Sequence, residues 1–462
     1  MEQRVKINNY ILTSSNKIKI NSKDLIKNDI FIALRGSKYH GNKFINEAIK
    51  AGAKYCITDK YSYKFKYNKN VLLVDDTFLF LKDLSIKKRS LFKGEVIGIT
   101  GSAGKTSLKE NLKFFLKKKY KISASIKSYN NELGVMLSIL NMNINSDYAI
   151  FEIGTNNFGE IKDLTKLVKP SQVFITNILS THLENFKNKK NIAKEKSDIF
   201  NKKYNPFVKT LYFQNKSKEE KLIRNLAKKQ KLKKIITVGQ KGLDCYIKNK
   251  RYINSNHIIN LKILNKHLKI VLNKYQEHRL INLIFVFTFY IVNKINTEAV
   301  IKNINKIPVV VGRGSIHNLA INNVKIKLID ESYNANPETM INSINNFSEI
   351  KENKFSKILV LGNMNELGIK TLNLHCKLIK ETEIHSFDLV ILCGDFLKKA
   401  LSMFAELNNN YVYKSTSRSI MSYLEQNVHK KAIMMVKSSN NTEVNKFVKL
   451  LKSRKRNRDC LN

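Results

Sequence analysis

Tryptophan is missing from this sequence, and proline and glycine are sparse, at four and seventeen of 462 residues. Lysine, asparagine and isoleucine fill their place, and these are the residues that AT-rich codons encode. Lysine and arginine number 83 against 37 aspartates and glutamates, a formal net charge of +46. Taken alone, that charge is the footprint of a nucleic-acid or anionic-surface binder. The lysines, however, are spread along the whole chain, and no cluster of basic residues with interleaved aromatics appears, as a P-loop nucleic-acid ATPase would need. Codon composition accounts for the excess, so no nucleic-acid partner is expected. One cluster stands apart, Lys452 to Arg458, and reads as a solvated tail.

Other absences narrow the field further. The five cysteines, at 56, 245, 376, 393 and 460, are odd in number and lack CxxC spacing. Neither a zinc site nor a disulfide framework is indicated, and a reducing compartment fits. The first twenty residues hold no continuous apolar stretch and no small-residue cleavage site, so no secretion signal and a cytoplasmic location are expected. The longest apolar run, Leu283 to Val292, is too short to span a bilayer and reads as a buried helix. Fixed-period repeats are also lacking.

A chain of this length holds two to four domains, and its 43% hydrophobic content supplies several cores. Residues 1–88 look compact and mixed, with buried strands at 30–34 and 53–58 around a helix over 44–51. In residues 89–312, apolar strands at 95–100, 148–153 and 172–176 alternate with loops and helices, which argues for a parallel sheet with crossover helices. Residues 207–275 read only as charged helix and hairpin. The pattern breaks near Pro308 to Gly314. Residues 313–462 then carry strands at 357–361, 388–392 and 432–436 in a doubly wound pattern.

Five segments carry chemistry. Thr100-Gly101-Ser102-Ala103-Gly104-Lys105-Thr106 follows a strand and precedes a helix over 107–117. Its glycines let backbone N–H groups turn toward a phosphate, and the helix N-terminus adds a favourable dipole. Lys105 can neutralise β/γ-phosphates, and the Thr106 hydroxyl can meet Mg²⁺. Glu152 ends the next apolar strand, a position suited to holding that ion, although a glutamate at a strand end is usually only solvated. His182 follows a third strand end and falls on the same sheet edge; a hydrogen-bonded structural histidine is an equal reading. Residues 193–200 (AKEKSDIF) look like surface helix charges, with nothing to single out one lysine. Asp330-Glu331-Ser332-Tyr333-Asn334-Ala335-Asn336-Pro337 follows a strand over 324–329. Its acids suit ribose hydroxyls and Tyr333 suits stacking, while an Asx/Pro turn capping the helix from Pro337 explains the same residues.

In this order, the motifs resemble the Mur ligase family over nearly the whole chain. YNNELGV (129–135), DESYNANP (330–337) and GNMNELG (362–368) with His375 are similar to the branch that adds D-alanyl-D-alanine. The resemblance implies three α/β domains. These are a small mixed N-terminal domain for the uridine-linked substrate (1–88), a central P-loop-type ATP-binding parallel sheet (89–312) and a C-terminal Rossmann-like domain (313–462). It implies an ATP-dependent carbon–nitrogen ligase of peptidoglycan precursor synthesis, adding D-alanyl-D-alanine to UDP-N-acetylmuramoyl-tripeptide through an acyl phosphate. A monomer is expected.

Carried over by position, Gly101, Ser102, Ala103, Gly104, Lys105, Thr106 and Ser107 would hold ATP, with Asn282, Asp330, Glu331 and Tyr333. Thr106 and Glu152 would bind one Mg²⁺. His182 and a carbamylated Lys196, the lysine directly before SDIF, would bind a second. Arg313 would reach the γ-phosphate. Ser22, Lys23, Asn130, Asn131 and Asn336 would meet the substrate. The family pattern is not followed throughout. Its His-Asn is His278-Arg279 here, its Asp-Asp is Asp330-Glu331, its Gly-Asp-Met is Gly362-Asn363-Met364, its Lys-Gly-Ser is Lys437-Ser438-Ser439, and its Asp-Ser-Arg is Asn21-Ser22-Lys23. The alternative is another amide ligase of the superfamily, one adding an amino acid or resembling folylpolyglutamate synthase.

Overall fold

The computed structural model describes residues 2–63, 68–215, 218–253, 256–350, 352 and 354–459. Its apolar runs form three sheets, one for each expected region. The first has four parallel strands in the order Ile18–Lys19, Ile30–Ala33, Tyr55–Thr58, Val71–Leu73. The two central strands are buried at every position, as strands covered on both faces must be.

The second sheet has nine strands. Five crossover strands lie side by side in the order Thr210–Asn215, Gln172–Ile175, Glu95–Thr100, Tyr148–Glu152, Ile122–Ala124, all parallel. The chain steps to one side of Glu95–Thr100 and then returns to the other, so a crevice opens at the carboxyl ends of the three middle strands. Beyond Thr210–Asn215 the sheet continues through Lys234–Gly239, Cys245–Ile253, Asn256–Ile263 and Lys266–Asn273. The last three are antiparallel to one another. Residues 207–275 therefore contain more than the expected helix and hairpin: two further parallel strands flank the helix Lys218–Lys229.

The expected apolar helix forms as Leu280–Val292, with Leu283 to Phe289 fully buried. It packs on the helix Lys105–Leu116, whose Leu108, Leu112, Phe115 and Leu116 make one apolar face at helical spacing. The third sheet orders Ser315–Ile321, Val324–Glu331, Ala432–Lys437, Ser356–Gly362, Leu389–Cys393, Tyr411–Tyr413, parallel except for its first pair.

The first expected boundary, after residue 88, falls inside the helix Thr77–Leu91, which runs from the first domain onto the second. Lys88 fixes it there. Its side chain is fully buried, and Nζ donates to the carbonyls of Ile11 (3.0 Å), Ser14 (2.5 Å) and Leu140 (2.6 Å). One ammonium thus caps two helix ends, one from each domain. Burial lowers its pKa to about 8. Asn141 adds a two-way bond to the backbone of Ile18. The second expected boundary falls in the turn before Ser315–Ile321. Lys452, expected in a solvated tail, lies on the helix Glu443–Asp459 and bonds Asp330 at 2.5 Å, so the tail reading fails at its first residue. Side chains from residue 454 onward lie outside the described ones. Among the described residues no helix is long and apolar enough to cross a membrane.

Candidate active site

The crevice predicted by the strand order is a cleft of about 810 Å³ between the second and third sheets. The phosphate loop forms its floor. Gly101 has φ +142°, and a Cβ there would lie 1.9 Å from Thr176 Oγ1. Only glycine lets the loop turn so close to the neighbouring strand. The loop is stitched to that neighbour. Ser102 N–H donates to the Asn177 carbonyl (3.1 Å), Ala103 N–H to Asn177 Oδ1 (2.9 Å), and Thr176 Oγ1 to the Ala103 carbonyl (2.5 Å). Gly104, at φ +82°, precedes the helix Lys105–Leu116, which starts two residues earlier than the sequence suggested. Asn282 reaches the Gly104 carbonyl from the buried helix at 3.4 Å.

Lys105 curls over the loop and donates to the Gly101 carbonyl at 2.8 Å. Its pKa is lowered by burial and by the Arg313 charge, against a raising pull from Glu152. Glu152 stands at the strand end as expected, but buried rather than solvated. It accepts from Thr106 Oγ1 (2.7 Å) and Asn130 Nδ2 (2.8 Å), and Ser128 Oγ lies 3.2 Å from Thr106 Oγ1. Thr106, Ser128 and Glu152 thus bring hydroxyl and carboxylate oxygens together, hard donors that suit Mg²⁺, with the Asn130 amide N–H steadying the carboxylate. Among the described residues no three of His, Cys, Asp and Glu form a metal cluster. Hydroxyl oxygens and a modified lysine would have to complete both expected sites.

His182 lines the same cleft in a left-handed conformation, with the Glu366 carboxylate of the third domain against its Nδ1. That contact lowers the Glu366 pKa and leaves Nε2 as the nitrogen for a ligand, the usual arrangement of a metal-binding histidine. The AKEKSDIF helix is not a surface helix throughout. Lys194 is exposed, but Lys196 is buried, and its pKa is lowered to about 7 by burial and the Lys105 charge. Glu195 is buried too, accepting N–H bonds from Gly159 and Ile161 at the start of the helix Glu160–Val168.

The third domain supplies the opposite wall. Arg313 sits in the turn before Ser315–Ile321 with its guanidinium 4.4 Å from the centre of the Tyr333 ring, so Tyr333 orients the arginine. Glu331 lines the cleft beside Lys437 (2.8 Å) and Ser343. Asp330, expected at the ribose, turns inward instead. It is buried and accepts from Ser332 N (3.0 Å) and Oγ (2.7 Å) and from Lys452, because its strand position faces the domain core. Two of the expected substrate asparagines cap helices. Asn131 Oδ1 accepts Gly134 N–H, and Asn336 Oδ1 accepts Thr339 N–H. Asn336 also lines the cleft, with Nδ2 buried and unpartnered. Arg279, at the departure from the family pattern, lines the cleft too, but bonds the Ile307 carbonyl at 3.1 Å. Ser22 and Lys23 line neither this cleft nor a second cavity formed by Arg35, Lys38, Tyr39, His40, Asp59 and Lys60. The sequence reading missed Asn177, Ser128, Glu366 and Lys437. Glu366 and Lys437 lay inside segments already singled out, without a role assigned to them.

Two family models match the chain. The Mur ligase middle domain covers residues 99–289, and the Mur ligase, glutamate ligase domain covers residues 318–440. Over 449 residues the chain is 27% identical to the UDP-N-acetylmuramoyl-tripeptide–D-alanyl-D-alanine ligase of Rickettsia prowazekii, covering 96% of each. Over 446 residues it is 29% identical to the ligase of that name from Buchnera aphidicola subsp. Baizongia pistaciae, covering 95% of this chain and 92% of the relative. The MurF ligase of Thermotoga maritima in complex with ADP has the same fold, with a TM-score of 0.78 at 23% identity over 97% of this chain and 99% of that one.

The loop geometry makes a direct prediction. Gly101→Ala should weaken ATP binding by about 10- to 100-fold, the equivalent of 1–3 kcal/mol of backbone strain. Gly159→Ala, also at positive φ but with open space around its Cβ, should leave ATP binding unchanged. Titration calorimetry of both variants checks the contrast.

Proposed function

The chain belongs to the Mur ligase family, and on that footing we propose that it joins D-alanyl-D-alanine to UDP-N-acetylmuramoyl-tripeptide at the expense of ATP. The observation that carries this reading is the full-length likeness to ligases of that activity, together with DESYNANP built into the wall of the cleft. A carboxylate is a poor electrophile. Its oxygen attacks the γ-phosphorus, ADP leaves, and the resulting acyl phosphate has a good leaving group. The dipeptide amine then attacks the acyl carbon, a proton passes to solvent, and phosphate departs.

The protein's part is positioning and charge stabilisation. Backbone N–H groups of Gly101 to Thr106 cradle the phosphates, and Lys105 neutralises charge at their end. Arg313, stacked on Tyr333, approaches the same phosphoryl group from the third domain. Asn130 keeps Glu152 aimed at Thr106. Thr106 and Glu152 would hold one Mg²⁺, and His182 with a carbamate on Lys196 would hold a second; when bound, these ions would neutralise further charge on the polyphosphate. We propose the cytoplasm as its location.

The carbamate requires an uncharged amine, and Lys196 provides one. Its folded pKa of about 7 lies below the ordinary lysine value, so between those two pH values the folded chain has released a proton that the unfolded chain keeps. The neutral amine, and with it carbon dioxide capture, is available above pH 7 and lost below it. Carbon NMR with isotope-labelled bicarbonate should show a carbamate signal that grows as pH rises through 7 and is absent in Lys196→Met. A signal of equal size in that variant would exclude the assignment.

The function itself is tested by phosphate release from ATP and Mg²⁺ with UDP-N-acetylmuramoyl-tripeptide, with and without D-alanyl-D-alanine. Release that needs both substrates, with a pentapeptide product by mass, is expected. Release that ignores the dipeptide, in protein that binds ATP, would point to a different amine.

A further inference from the structure

We infer that Lys109 is a positioning residue that holds the segment 125–131 against the phosphate-loop helix, so that Glu152 and Thr106 are pre-set for the metal–nucleotide. The inference rests on the ATP- and Mg²⁺-dependent reading above and deepens it.

Lys109 lies three residues beyond Thr106 on the helix Lys105–Leu116, and therefore on the same face. Its side chain is fully buried. A buried ammonium has three donors to satisfy. Nζ donates to the carbonyl of Ser125 at 2.8 Å and to that of Lys127, and Glu110 Oε1 lies 3.0 Å away. Lys127 has φ +47°, a conformation that costs a non-glycine residue energy and persists only where the surroundings impose it. Lys109 is the group to which its carbonyl is bound.

The segment secured in this way is the one that dresses the metal end of the cleft. Glu152 N–H donates to Ser125 Oγ at 3.0 Å. Ser128 Oγ meets Thr106 Oγ1, and Asn130 Nδ2 donates to Glu152 Oε1. At its far end, Asn131 starts the helix Glu132–Asn141. Two side chains of one short loop thus touch the two oxygen ligands, a third holds the Glu152 backbone, and the loop's first turn is pinned to the helix that carries Thr106. Without the ammonium, two carbonyls face a buried site with no donor, and the loop must rearrange to reach one. Lys109 itself touches neither Thr106 Oγ1 nor Glu152, so its effect passes through Ser125, Ser128 and Asn130.

The test compares ATP affinity by calorimetry in excess Mg²⁺ and in EDTA. In Lys109→Met, the gain in ATP affinity that Mg²⁺ brings should shrink about tenfold, as for other groups that orient metal ligands, while metal-free ATP binds within about twofold of wild type. In an Asn130→Ala background the same change should add less than about twofold, because both act on one contact. An undiminished Mg²⁺ gain, or equal losses with and without metal, would overturn the role. If the methionine variant does not fold, Lys109→Arg decides, since it keeps a cation but cannot place three donors on the same acceptors. A reduced Mg²⁺ gain supports the role, and the full wild-type gain overturns it. Wild-type protein with no Mg²⁺ gain would instead remove the functional reading, an outcome visible before any variant is made.

Discussion

Positive charge gathered beside a few buried carboxylates is the constraint around which the cleft is built. Lys105, Lys196 and Arg313 come from three different elements, and the first two are pushed toward neutrality by burial and by their cationic neighbours. Glu152 opposes Lys105 and Glu195 opposes Lys196; Glu152 is held by Thr106 and Asn130 on its carboxylate and by the Ser125 hydroxyl on its backbone N–H. A site with this imbalance favours a polyanion over water, and most of all a phosphoryl group spreading charge over its oxygens. The parallel strands place these groups at one sheet edge. The third domain then adds Arg313 and Glu331 from across the gap, and Glu366 against His182.

The rest of the molecule divides into a fixed part and a part that meets it. Lys88 and Asn141 bind the first domain to the second through backbone carbonyls, with a single helix running through both. The third domain meets the second through partly buried contacts instead, with a long backbone bond from Glu184 N–H to the Glu366 carbonyl at 3.3 Å. Glu338 accepts from Ser180, and Tyr275 donates to Glu352 beside Lys327. Such contacts separate more readily than buried backbone bonds, so closure is expected between the second and third domains rather than the first and second.

Much of this was legible from residues alone. Short apolar runs between turns marked the crossover strands, and strand-loop-helix alternation gave the parallel sheets. Thr210–Asn215 and Lys234–Gly239 escaped because their few apolar residues sit between lysines, where periodicity fades. The first expected boundary falls within the helix Thr77–Leu91, where the sequence shows no compositional break to mark it. At the site, Gly101, Lys105, Thr106 and Glu152 carry their chemistry in their spacing. Lys109, Lys196 and Lys437 do not, for in a chain so rich in lysine only burial distinguishes a buried cation from a solvated one. Asp330 and Glu331 could not be separated in advance either. Alternation along the strand sends one to the core and the other to the cleft, and which goes where is set by the sheet. Asn131 and Asn336 fit both readings, since an Asn before a helix is a cap whatever else it does.

The central claim is that the phosphoryl group is stabilised from both sides of the cleft, with Arg313 acting mainly as charge develops. The direct measurement is the turnover number and the ATP dissociation constant of Arg313→Ala. The account predicts a fall in turnover of about 100-fold or more, with ATP affinity changed by less than about threefold, the mark of an interaction made in the transition state. Equal losses in both would mean that Arg313 only helps to bind ATP, and would contradict it.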